Sequence, residues 1–229
     1  MELEGKAALV TGTSRGIGPH IARGLATLGA RVLCHARREE DARPMAAEVG
    51  GVPITGDLGS IEGVQQVADQ AAAATDVLHV LVHNAGVLHR GRIEEVTPAD
   101  LDATLAVNLA APLFLTQALL PRLRAAGDAR IVVVSSRAGA LREGMSGGNM
   151  TYRISKAAVN AFTNNLATEL ADDGILVNAM HPGWVATDMG GRSAPVKPEE
   201  GARTALFLAT LPDGGPTGRF WQNEREIDW

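Results

Sequence analysis

Apolar residues in this chain come in short runs that alternate with stretches of helical spacing. Ala7 to Thr11 is the first run, and it ends in Thr11-Gly12-Thr13-Ser14-Arg15-Gly16-Ile17-Gly18. After it, Ile17, Ile21, Leu25 and Leu28 keep one face of a helix until Gly29, so the pattern predicts a strand, a tight turn and a helix. The alternation continues with a strand at Arg31 to Ala36, a helix around Ala42 to Val49, a strand at Val52 to Thr55, a helix at Ile61 to Ala74 and a buried strand at Val77 to Val82. From Pro98 to about Arg124 the spacing is helical but interrupted at Asn108 and Pro112, where proline predicts a kink or a restart. Ile131 to Val134 is the most apolar strand. It leads through Ser135-Ser136 into a loop with Gly139, Gly144, Gly147 and Gly148. A helix follows from Tyr152, with Val159, Phe162, Leu166 and Leu170 on one face, then a strand at Ile175 to Met180, a helix at Pro198 to Leu211 and an edge strand at Gly218 to Gln222. Repeated β-α-β units of this length predict one α/β domain, a parallel sheet with helices on both faces.

Ligands of such sheets lie beyond the carboxyl ends of the strands, which directs attention to the loops there. The glycine turn gathers backbone N–H groups and a helix N-terminus at one point, a site for a phosphate anion. Its spacing is G-x-x-x-G-x-G; it differs from the G-x-G-x-x-G fingerprint and lacks the P-loop lysine. Gly12 to Gly16 also reads as G-x-S-x-G, the nucleophile elbow of a serine hydrolase with Ser14 as nucleophile. That reading is disfavoured because too little chain precedes the turn to supply an oxyanion donor from an earlier strand. After the second strand the chain reads Cys34-His35-Ala36-Arg37-Arg38. An acid for a ribose hydroxyl is missing there, whereas Arg37 and Arg38, with Arg15 in the turn, suit a 2′-phosphate. Asp57, Leu58 and Asn84-Ala85-Gly86 follow the third and fourth strands, where adenine and ribose could lie.

Composition narrows the partner. The 21 basic and 26 acidic residues leave a net charge of -5 without long single-sign runs, which argues against a nucleic-acid surface and for a small molecule. The lone Cys34 cannot form an internal disulfide and fits a reducing compartment. The first residues lack a secretion-signal pattern, and Asp102, Asn108, Pro112 and Gln117 break the apolar stretch from Leu101 to Leu120. The expectation is a soluble, cytoplasmic protein with no membrane partner.

The candidate chemistry centres on Tyr152, the only tyrosine, four residues before Lys156. On a helix the two share a face, and a neighbouring cation favours the phenolate, making the pair a candidate general acid/base. Asn108 either sits beside backbone groups freed at the helix interruption or caps the second helix segment. His79 and His83 are four apart on a strand, about 13 Å, so no metal site is expected.

Taken together these motifs resemble the short-chain dehydrogenase/reductase family over essentially the whole chain, nearest its carbonyl-reductase branch. The turn matches Thr11-Gly12-x-x-x-Gly16-Ile17-Gly18, and the family's Asn-Asn-Ala-Gly appears as His83-Asn84-Ala85-Gly86. The catalytic asparagine, serine, tyrosine and lysine match Asn108, Ser136, Tyr152 and Lys156, and Pro182-Gly183 and Thr187 match the segment that closes on the nicotinamide. The resemblance implies a Rossmann-type doubly wound fold and NADP(H) as cofactor. It also implies reduction of a carbonyl, with Tyr152 as proton donor, Ser136 on the carbonyl oxygen, Lys156 on the ribose and Asn108 holding a relay water. A homodimer or homotetramer paired through the helices near 112–124 and 152–171 is implied as well. Trp184 and Met189 suggest an apolar substrate. An NADP-binding sensor without turnover is the alternative that the fold alone leaves open. His83 for asparagine, Pro19 directly after the glycine motif, and an enlarged loop between Ser136 and Tyr152 are the departures.

Overall fold

The computed structural model describes residues 1–142 and 147–229. Gly144, assigned above to the loop before Tyr152, lies outside the described residues. Among the described residues eight strands form one sheet: β1 (Ala7–Val10), β2 (Arg31–Ala36), β3 (Val52–Thr55), β4 (Val80–His83), β5 (Arg130–Val134), β6 (Leu176–Met180), β7 (Phe220–Gln222) and β8 (Arg225–Ile227). Their order is β3-β2-β1-β4-β5-β6-β7-β8. All neighbours are parallel except β7 and β8, which form an antiparallel hairpin. The chain changes direction between β1 and β4, so the crevice that binds ligands in this fold opens beside the glycine turn.

Seven α-helices among the described residues cover the sheet: α1 (Gly18–Thr27), α2 (Glu39–Glu48), α3 (Ile61–Ala74), α4 (Pro98–Leu105), α5 (Ala111–Ala126), α6 (Met150–Glu169) and α7 (Pro198–Ala209). The alternation of the strands divides the core. Ala8, Val10, Val32, Val80, Val82 and Val132 face α1, α2 and α7. Leu9, Leu33, Leu81, Ile131, Val133 and Val177 face α3, α5 and α6. Period-two side-chain placement makes each strand feed both layers, which is why these strands read as continuous apolar runs. Leu115, Leu119 and Leu123 of α5 are fully buried, and each contributes roughly 2 kcal/mol through apolar burial.

Several boundaries differ from expectation, among them β4, which begins at Val80 rather than Val77. The interruption after Pro98 is a π turn over Ala106–Ala110, closed by Ala111 N–H donating to Ala106 O. Pro112 marks the restart that the sequence predicts: it lies in the first turn of α5, which continues directly from the π turn. The run from Pro98 to Ala126 is therefore one helical segment of 29 residues, by length and apolarity the only one among the described residues that could cross a membrane. Its α5 half is packed in the second core layer, as the core helix of a globular domain is. Finally, β7 is not the edge of the sheet: β8 lies outside it, joined through Asn223 and Glu224, both at positive φ. Helix α2 begins at Glu39, earlier than expected, with Glu39, Glu40 and Asp41 in its first turn, where acidic groups meet the positive end of the helix dipole.

Candidate active site

The glycine turn between β1 and α1 is held from three sides. Asn84 Nδ2 donates to Thr11 O (2.8 Å) and Gly12 O (2.9 Å), and the Asn84 and Ala85 N–H groups donate to Thr11 Oγ1 at 2.9 and 3.0 Å. His35, buried at the end of β2, accepts from Gly12 N–H through Nδ1 (3.2 Å), while Nε2 meets Gly56 O (3.0 Å). Nε2 therefore carries the proton and the ring is neutral; burial keeps its pKa below the ordinary histidine value. The sequence reading passed over His35. The available signal was a polar residue inside an otherwise apolar strand.

Glycine is required in the turn itself. Gly12 and Gly16 have φ of +71° and +68°, and a Cβ on Gly18 would lie 2.0 Å from Gly12 O. Ile17 N-caps α1 without a side-chain acceptor for its first amides, so those N–H groups point outward for an anion. This cradle, which a Cβ would fill, fits a dinucleotide pyrophosphate. Ile17 and Leu58 are themselves buried in the two core layers, and they shape the wall by packing. Asp57 Oδ1 accepts from Gly59 N–H (2.9 Å) beside β3.

The three arginines proposed for a 2′-phosphate are not equivalent. Arg38 is engaged with Asp41 (2.9 Å) and Glu40 (3.2 Å). Arg15 lies 3.8 Å from Asp188 with both side chains exposed. Arg37 is exposed directly after β2 and has no ion pair among the described residues. Ser14 is exposed in the glycine turn, and among the described residues no histidine nitrogen bonds its hydroxyl. The hydrolase reading therefore lacks its base.

Across the crevice, Ser136 sits just beyond β5, where its Oγ accepts from Ala138 N–H (3.1 Å) and is hydrogen-bonded to the Tyr152 phenol. Tyr152 and Lys156 lie one turn apart on α6, with Lys156 Nζ 5.6 Å from the Tyr152 ring centroid and donating to Val134 O at 2.8 Å. Burial raises the phenol above its ordinary value against the lowering influence of Ser136 and the charge of Arg153. It also pushes Lys156 down to about 8. The expectation that Lys156 itself lowers the phenol is corrected here, because burial dominates and the opposing influences come from Ser136 and Arg153.

Asn108 is buried inside the π turn, with Nδ2 donating to Val87 O and Ser155 Oγ (both 2.9 Å) and Oδ1 accepting from Val87 N–H (2.8 Å). Both amide protons are thus used to brace the loop after β4 against α6. A relay water would have to be held by main-chain groups of the π turn, a wide turn frequent at functional sites. Gly86 keeps the approach open, since a Cβ there would lie 3.3 Å from Asn108 Oδ1 and 3.8 Å from Lys156 Nζ.

The segment after β6 crosses the glycine turn. Gly183 has φ +87°, and its Cβ would meet Val196 at 3.0 Å. It follows Pro182 and starts a loop that brings the Thr187 methyl to 3.8 Å from where a Cβ on Gly16 would stand. Arg90 donates to Met189 O (3.0 Å), joining this loop to the one after β4. Trp184 and Met189 remain exposed. The histidines once weighed as a metal pair serve the fold: His79 Nδ1 accepts from Ala7 N–H (3.3 Å), and fully buried His83 meets Thr116 Oγ1 (2.8 Å).

A family model described as short chain dehydrogenase matches residues 6–197. D-threitol dehydrogenase of Mycolicibacterium smegmatis is 34% identical over 223 residues, 95% of this chain and 81% of that protein. The 3-oxoacyl-[acyl-carrier-protein] reductase FabG of Aquifex aeolicus is 33% identical over 233 residues, 92% of each. Among solved structures, a short chain dehydrogenase from Burkholderia cenocepacia in complex with NADP superposes with a TM-score of 0.83 at 33% identity, covering 95% of this chain and 94% of that one.

Proposed function

The chain belongs to the short-chain dehydrogenase/reductase family of oxidoreductases, and from that premise we propose that it reduces the carbonyl of a small, apolar ketone or aldehyde to an alcohol with NADPH. The observation that carries this reading is the contact of Ser136 with the Tyr152 phenol, one helical turn from Lys156. Bound NADPH would supply the hydride. The glycine cradle, with Ser14 and Arg15, would hold its pyrophosphate, and Arg37 with Arg38 its 2′-phosphate. Asp57, Leu58 and Asn84 to Gly86 would flank adenine and ribose, and Pro182, Gly183 and Thr187 would cover the nicotinamide. The NADP complex of the Burkholderia relative, on the same fold, supports this choice of cofactor.

The chain's own groups divide the remaining work. Ser136 donates a hydrogen bond to the carbonyl oxygen as negative charge develops there, and Tyr152 delivers its phenolic proton to that oxygen. A phenol kept protonated by burial is the correct acid for this direction. Lys156, lowered to about 8 by burial, is ready to return a proton to Tyr152 and to hold the ribose. Asn108 acts by position, fixing the loop after β4. Trp184 and Met189 offer apolar contact at the mouth. Exposed Leu113 and Phe114 on α5 and Ile154 on α6 favour pairing of these helices in a homodimer or homotetramer, and the setting is cytoplasmic.

The test is NADPH oxidation with a panel of ketones, aldehydes, quinones and imines, run beside NADH and Tyr152→Phe. The expected result is turnover that prefers NADPH and is lost in the variant, with NADPH affinity retained. Tight NADPH binding without turnover on any compound would refute the reductase and leave a sensor.

A further inference from the structure

Tyr152, Lys156 and Asn160 fall at i, i+4 and i+8 of α6, a single stripe of that helix. Three consecutive residues at the end of β5 each meet one member of it. Lys156 Nζ donates to Val134 O (2.8 Å), Ser135 Oγ donates to Asn160 Oδ1 (2.5 Å), and Ser136 is hydrogen-bonded to the Tyr152 phenol. Asn160 Nδ2 also donates to Gly139 O (3.4 Å). Asn160 thus grips the chain just before Ser136 and again three residues beyond it. The fit is close: a Cβ on Gly139 would stand 2.4 Å from the Lys156 carbonyl carbon. Ser135 and Asn160 are both buried. An apolar pair of the same shape would hold two elements together about as well, so the hydrogen bonds secure direction more than stability.

We propose that Asn160 is a positioning residue for the reaction, setting the angle at which Ser136 meets Tyr152 by holding Ser135 and Gly139 on either side of it. The inference rests on the reading that Ser136 and Tyr152 act together on a carbonyl. It concerns a residue outside the four matched to the family.

Because Tyr152 is the only tyrosine, carbon-13 labelling of tyrosine yields one Cζ resonance that reports its hydrogen bond at neutral pH in the intact protein, whether or not a substrate is known. The spectrum is compared for wild type, Asn160→Leu, Ser136→Ala and the double variant. We expect Asn160→Leu to move the resonance in the same direction as Ser136→Ala, and the double variant to sit where Ser136→Ala sits. With a working substrate, kcat should fall about tenfold in Asn160→Leu, the worth of roughly one hydrogen bond. The KM for NADPH should stay unchanged, with no further fall in kcat when Ser136 is already alanine. An unmoved resonance in Asn160→Leu, or effects that add in the double variant, would overturn the proposal. If Asn160→Leu does not fold, Ser135→Ala replaces it under the same criteria. Failure of wild type to turn over any carbonyl would sink the reductase reading alone, since the resonance decides the positioning role independently.

Discussion

Acidification should destabilise this fold through one identifiable ring. His83 is completely buried at the end of β4, and desolvation lowers its pKa from 6.5 to about 3. The folded chain therefore holds His83 neutral at pH values where an unfolded chain would protonate it. A base with a lowered folded pKa contributes its full stability above the unfolded value and loses it as pH falls from about 6.5 toward 3. From these two values, the loss between pH 7 and pH 5 is about 2 kcal/mol. That is a large share of a total stability of roughly 5–15 kcal/mol. His83→Asn keeps a polar group facing Thr116 and removes the titration. Urea unfolding of both proteins at pH 7 and pH 5 measures the difference. Wild type should lose about 2 kcal/mol more than the variant over that interval, and His35, whose pKa burial also lowers, contributes equally to both. Equal losses would refute the argument and assign the acid sensitivity to other groups.

The glycine turn gives a second test. Gly18→Ala drives a Cβ into Gly12 O, and a turn that must shift should weaken NADPH binding at least about tenfold, measured by nicotinamide fluorescence. The arginines give a third. Arg37→Ala should lower the preference for NADPH over NADH more than Arg38→Ala does, because Arg38 already spends its guanidinium on Glu40 and Asp41; kcat/KM with each cofactor decides it, and the reverse ranking would show that Arg38 changes partners.

Much of this site could be read from residue types. Strands buried on both faces announce themselves as apolar runs, and Tyr152 with Lys156 needs only the pitch of a helix. What escaped was set by geometry that leaves no periodic trace. Asn108 attracted attention because Pro112 lies nearby, and the restart that the proline predicts is there, but the π form of the turn before it left no sign in the spacing. Strand β8 is three residues, two of them charged, and its Asn223-Glu224 turn lacks the glycine that marks such hairpins. His35 is invisible as a brace until β3 brings Gly56 beside it. The strength of Lys156 as an influence on the phenol was overestimated because spacing says nothing of burial.

The π turn has a consequence for how a single helical run can serve two neighbours. Successive residues of a regular helix advance about 100°, so one extra residue in a turn rotates everything before it relative to everything after. Here the 29-residue segment presents Leu115, Leu119 and Leu123 to the core layer it shares with α3. Before the turn it presents Thr104 to Thr151 of α6. Ala106–Ala110 thus works as a phase shifter between the two halves, and deleting any one of its residues would turn the first half out of register with α6 while leaving its apolar content unchanged.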